Sequence, residues 1–142
     1  MSDSKAEFLE NLASDCTLHV CTSCRPSNFP REPKENRPGL RLHRELERLI
    51  KAGNYSDLIN LESTECLSLC PRPCGIAISS QSGWTYLFGD QDANLDAQAI
   101  IDCVISYSEE PSKPLARHQR PKNMRASTIG WLSSNKFIYL KT

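Results

Sequence analysis

Five of the seven cysteines in this chain fall in two short stretches, and that clustering constrains the fold more than any other feature. The first stretch is Cys21-Thr22-Ser23-Cys24. The second is Cys66-Leu67-Ser68-Leu69-Cys70-Pro71-Arg72-Pro73-Cys74. Core packing uses cysteine singly, as a small hydrophobe. Two dense groups with prolines among them call for a chemical reason, and any fold must bring both to one place. The start of the chain lacks the basic and apolar regions of a secretory leader, and no apolar run approaches the ~20 residues of a membrane helix. A cytoplasmic protein with no membrane association is therefore expected. Disulfides are rare in that compartment, where clustered cysteines more often bind metal or do redox chemistry.

The 142 residues suffice for one core, and 39% apolar content with nine prolines implies much non-repetitive backbone. Charge balances to zero but is uneven along the chain. Residues 25–51 hold eight Lys/Arg against four Glu, whereas 52–110 hold nine acids against Arg72 alone. From residue 111 onward there are seven basic residues and no acid. A solvated tail balancing an acidic body is the expected meaning, and nucleic acid is not expected as a partner.

Ser4-Lys5-Ala6-Glu7 has the form of a capping box, which predicts a helix over 4–14. Thr17 to Val20 reads as a strand that delivers Cys21 at its end. The prolines at 26, 30, 33 and 38 make the next segment a loop. Leu42, Leu46, Leu49 and Ile50 then mark one face of a helix over 39–52, stopped at Gly53-Asn54. A strand is expected over about 57–62. After the cysteine-rich loop, Gly75–Ser79 and Trp84–Phe88 form a hairpin, and a helix follows over 94–107. Residues 112–125 are expected to be extended, with Trp131-Leu132 and Phe137–Leu140 as candidates for an edge strand. The organisation is thus an N-terminal helix (1–15), a body (16–110) and a basic C-terminal extension (111–142).

In order, the body reads β-α-β, loop, β-β-α. This is an α/β arrangement of thioredoxin-like type, a sheet flanked by helices, with a parallel crossover through the 39–52 helix. There the end of the first strand and the loop before the hairpin share one edge, so the two cysteine groups meet.

Thiolates suit both iron–sulfur clusters and zinc, and four at one site satisfy either. A thiol–disulfide enzyme is the competing use of Cys-x-x-Cys. Its nucleophile would need a helix opening at the motif, but Pro26, Pro30 and Pro33 follow Cys24, and the later cysteines would have no role.

The segment Leu18–Pro26 resembles the opening of thioredoxin-like [2Fe-2S] ferredoxins. Cys66-x-x-x-Cys70, Pro73 and the strand Ile76–Ile78 resemble their second motif, and Trp84-Thr85-Tyr86 their following aromatic strand. The similarity covers about 17–110 and is nearest to small bacterial proteins described as predicted metal-binding. It implies a [2Fe-2S] cluster, one-electron transfer with a reductase or acceptor protein, no enzymatic activity, and the option of a homodimer. Carried over by position, the ligands are Cys21, Cys66 and Cys70. The ferredoxins place their remaining ligand near Pro33–Arg37, where this chain has no cysteine. Cys24 is its expected replacement and Cys74 the alternative. Structural zinc or metal handling, and a cluster-based sensor or interaction module, are the other readings.

Cys16 and Cys103 read as structural. His19, His43 and His118 carry no ligand pattern, and no Rieske-type pair of histidines accompanies the cysteines. Asp90, Asp92 and Asp96 lack the glycine and glutamate of a calcium loop and are expected at the start of the last helix. Arg25 and Arg72 flank the two motifs. No phosphate-binding glycine loop, metalloprotease helix or serine elbow is present.

Overall fold

A computed structural model of the chain describes residues 16–65, 74–80, 83–92, 94–110 and 114–133. Its strands are β1 (Thr17–Cys21), β2 (Asn60–Thr64), β3 (Ile76–Ser79), β4 (Trp84–Phe88) and β5 (Thr128–Ser133). Its α-helices are α1 (Pro38–Ala52), α2 (Ala97–Glu109) and the short α3 (Lys122–Ser127). The five strands form one mixed sheet in the order β2-β1-β3-β4-β5. β1 and β2 are parallel and joined through α1, and every other neighbouring pair is antiparallel. This is the thioredoxin-like arrangement that the order of elements predicted.

Each element follows from where its apolar residues fall. In β1 the alternation sends Leu18 and Val20 fully inward, while His19 stays half-buried on the opposite face. α1 begins with Pro38, whose fixed φ and missing N–H suit a helix's first turn. It buries Gly39, Leu42, Leu46 and Ile50 along one stripe. α2 buries Ile100, Ile101, Cys103, Val104 and Tyr107. At the end of α1 the left-handed residue is Asn54 (φ 58°), not Gly53. Gly53 is needed for space, since a Cβ there would sit 2.3 Å from the Tyr55 ring.

The strand expected over 57–62 lies further on, at Asn60–Thr64. The Tyr55 carbonyl accepts N–H bonds from both Leu58 and Ile59, holding them in a turn that buries Ile59. The last helix of the body starts at Ala97 because the Asp92 carboxylate accepts the Asn94 and Leu95 N–H groups in a preceding turn.

Residues 112–125 were expected to be extended, but the described part, 114–125, carries a 3-10 turn (Arg117–Gln119) and enters α3. Gln119 Oε1 accepts from the Ala116 N–H at 2.8 Å, and the Pro121 carbonyl accepts from Met124 and Arg125. Side-chain acceptance and a proline before α3 outweigh the like charges. β5 is the edge strand anticipated at 131–132. Leu115 and Met124 are buried in the core, and the Leu115 N–H donates to the Tyr86 hydroxyl at 2.5 Å. Buried Gln91 donates from Nε2 to the Gly89 carbonyl and to Ser127 Oγ, fastening α3 beside the end of β4. The segments 4–14 and 137–140 lie outside the described residues. Among the described residues, no helix is long and apolar enough to cross a membrane.

The packing that places the first cysteine pair is at Gly39. A Cβ on Gly39 would stand 2.1 Å from the Cys21 carbonyl oxygen and 3.1 Å from the Cys24 Cβ. Gly39→Ala is expected to destabilise the protein by roughly 1–3 kcal/mol, the usual range for overpacking. At Gly130 nothing lies within 4 Å of the added atom, so Gly130→Ala serves as the near-neutral control. Urea unfolding of both variants checks this, and equal midpoints would contradict the close approach.

Candidate metal centre

β1 ends at Cys21, and the chain turns so that the Cys24 N–H points back to the Cys21 carbonyl at 3.4 Å. The Cys24 carbonyl in turn accepts the Gly39 N–H at 3.0 Å, an otherwise unsatisfied donor in the first turn of α1. The helix therefore seats the Cys21–Cys24 turn through backbone bonds. From the other side, Gly75 just ahead of β3 engages both cysteines. Its carbonyl accepts the Cys21 N–H at 3.1 Å, and its N–H donates to the Cys24 sulfur at 3.4 Å. Cys74 is held by a reciprocal backbone pair with Gln91, at 3.3 and 3.1 Å.

The result is one buried group of sulfur atoms. Cys21, Cys24 and Cys74 are each only 2% exposed. The Cys21 thiol hydrogen-bonds the Cys24 thiol, which is the main reason the latter is held well above the ordinary thiol range. Burial and the neighbouring Cys21 and Cys74 add to that, while the Gly75 N–H opposes it. Burial pushes the Cys74 thiol up to about 12, helped by Cys21 and Asp92 and opposed by the Arg41 guanidinium. The Cys24 and Cys74 sulfurs carry no ready negative charge on their own. A reactive thiolate nucleophile needs the opposite environment. The N-terminus of α1 does reach Cys24, yet its Gly39 N–H is spent on the carbonyl, not on sulfur. Adjacent soft donors with a penalty on ionisation suit a bound cation, which removes that penalty as the protons leave.

Cys66 and Cys70 lie outside the described residues. Both residues that bound the segment 66–73 are described, and both stand at Cys21. Cys21 Sγ donates to the Glu65 carbonyl at 3.7 Å, and Cys74 is the neighbour noted above. The Thr22 N–H also bonds the Thr64 carbonyl at 2.9 Å, so the end of β2 meets the end of β1. Among the described residues, no three or more His, Cys, Asp or Glu side chains are arranged to hold a metal ion.

The other singled-out residues have structural surroundings. Cys16 and Cys103 sit in the core, and burial pushes the Cys103 thiol up to about 12. His19 joins the Ser79 hydroxyl at 2.9 Å and lies 3.5 Å from the Glu62 carboxylate. Asp96 accepts the Asp92 N–H at 2.6 Å within the turn before α2. Arg25 braces its own loop by donating to the Phe29 carbonyl at 2.8 Å. Arg72 lies outside the described residues. Gly39, Gly75 and Arg41 were not anticipated. Their only sequence signals are a glycine after the proline that opens a helix, a glycine after the last cysteine, and an arginine one turn into α1. An open cleft of about 280 Å³ between Pro26, Pro38, Arg41 and Asn94 leads to Cys74.

Among solved structures, the fold is similar to a thioredoxin-like [2Fe-2S] ferredoxin from Aquifex aeolicus. The TM-score is 0.54 at 14% sequence identity, over 84% of this chain and 94% of that one. At that identity the likeness establishes the fold alone. No curated protein sequence matches the chain. A family model does match, over residues 18–132, which takes in both cysteine groups and reaches all five strands of the sheet. The chain belongs to that family, DUF1636, whose description is a protein of unknown function.

Proposed function

We propose that this chain carries a [2Fe-2S] cluster and serves as a one-electron carrier instead of an enzyme. The observation that carries the reading is the meeting of Cys21, Cys24 and Cys74 in one buried group, at the point where the segment bearing Cys66 and Cys70 departs and returns. The likeness of fold to a protein titled a [2Fe-2S] ferredoxin favours iron–sulfur over zinc for those thiolates. Cys21, Cys24, Cys66 and Cys70 are the proposed ligands, with Cys74 the alternative to Cys24.

When bound, the cluster supplies a reversible one-electron couple. The chain's own residues do the rest. The Cys21–Cys24 turn is pre-formed, because its backbone groups are already bonded to Gly39 and Gly75. The Gly75 N–H directed at the Cys24 sulfur stabilises added negative charge there, as does the Arg41 guanidinium near Cys74. Burial of Cys21, Cys24 and Cys74 limits hydration of their sulfurs.

Protein purified without oxygen is expected to be coloured, with iron and acid-labile sulfide in equal amounts. A colourless protein with stoichiometric zinc would establish the structural-metal reading instead. Cys24→Ser should lower cluster content by roughly tenfold or more, since losing even an outer-shell partner costs about 10–100-fold in metal affinity. Cys74→Ser should keep the cluster and alter only its spectrum. The reverse pattern, read by iron content and visible absorption, would make Cys74 the fourth ligand.

A further inference from the structure

Beside the cysteine group, α1 presents a row of arginines to solvent. Arg41, Arg44 and Arg48 are exposed and, with Glu45 and Asn94, line an open groove of about 520 Å³. Arg41 and Asn94 also line the cleft that leads to Cys74, so groove and cleft adjoin. Arg41 is fixed there, since its guanidinium donates to the Asn94 side-chain oxygen. Next in the chain, Leu95 is 80% exposed, the most exposed large apolar side chain among the described residues.

We propose that this face, Arg41, Arg44, Arg48 and Leu95 around the Cys74 cleft, docks a partner protein that presents a carboxylate-rich patch and exchanges one electron through the cleft. The proposal rests on the cluster reading for the electron step, but not for the docking chemistry. Guanidinium groups spaced along a helix match carboxylates in bidentate fashion, and such charge matching steers encounter more than it adds affinity. Transient electron-transfer contacts are small, so a single helix face with one apolar anchor is of the right scale. A nucleic acid fits this face less well. Glu45 stands within the arginine row, paired with Arg48 at 2.5 Å, and Asp90 and Asp92 line the other side of the cleft. A uniformly negative phosphate backbone is repelled by those three carboxylates. A protein surface can place its own cations opposite them and lay an apolar residue on Leu95.

Two probes test this on the full-length protein. The first is a glutamate-rich peptide that also carries lysine and leucine, whose binding is compared with that of a DNA duplex by titration at low salt. Arg44→Glu/Arg48→Glu is expected to weaken binding of the peptide about tenfold, within the usual range of electrostatic steering effects. Arg44→Gln/Arg48→Gln should fall between wild type and that variant. Charge reversal elsewhere, at the exposed Arg117 and Lys122, should leave binding unchanged. An equal loss in the control, no loss at Arg44 and Arg48, or tighter binding of DNA on this same face would each overturn the proposal.

The second probe is kinetic. Ferricyanide takes one electron from the reduced centre and becomes ferrocyanide; hexaamminecobalt(III) takes one electron as a cation. Wild type should favour the anion, and Arg44→Glu/Arg48→Glu should slow it about tenfold while speeding the cation. Unchanged rates in both would exclude electron exit at this face. If no reducible centre is found, the cluster reading fails by itself, and the peptide result still decides the docking face.

Discussion

The turn after β1 is clamped between a helix and a strand, and the arrangement of the sulfur atoms depends on that clamp. Gly39 lets the first turn of α1 approach the Cys21 carbonyl at a distance no side chain permits. Gly75 meets the same turn from the β3 side, with its carbonyl on the Cys21 N–H and its own N–H on the Cys24 sulfur. Cys21 and Cys24 are thereby fixed by backbone bonds on both sides, before any metal is considered. The sheet order places β1 between β2 and β3, so the chain leaving β2 and the chain entering β3 both lie at Cys21. Preorganisation of this kind lowers the ordering cost of a ligand set.

The electrostatics give the clamp its chemical sense. Held out of water beside Cys21, the Cys24 and Cys74 thiols resist ionisation. A cation relieves that resistance, whereas a disulfide exchange enzyme would need a sulfur whose charge the protein favours. Arg41, whose guanidinium acts on Cys74, belongs to the exposed arginine row of α1. The residue that tempers the charge at Cys74 is thus also the inner end of the charged surface beside it.

Much of this was legible in the sequence, for a physical reason. Period-two burial in Leu18–Val20 and helical spacing in Leu42, Leu46 and Ile50 are signals that core formation itself imposes, and the fold follows them. The element order β-α-β then β-β-α carried the topology, and with it the convergence of the Cys21–Cys24 turn and Cys74. Where the reading departed from the structure, a local hydrogen bond had overruled composition. Tyr55 captured Leu58 and Ile59 into a turn, and Asp92 delayed the start of α2. The segment after residue 111 looked like an extended basic tail because its charges are plain in sequence. The single hydroxyl of Tyr86 and the side chain of Gln91 that tie it to the core are not. Gly39 was invisible for a similar reason, since close approach of two backbones has no periodicity.

The central claim is that these cysteines hold a redox-active iron–sulfur centre. Reductive titration of the oxygen-free protein, followed by electron paramagnetic resonance, tests it most directly. Uptake of one electron per chain, with a paramagnetic signal that grows in step and disappears on reoxidation, is the predicted result. A protein that holds its metal, takes up no electron and stays silent throughout the titration would contradict it.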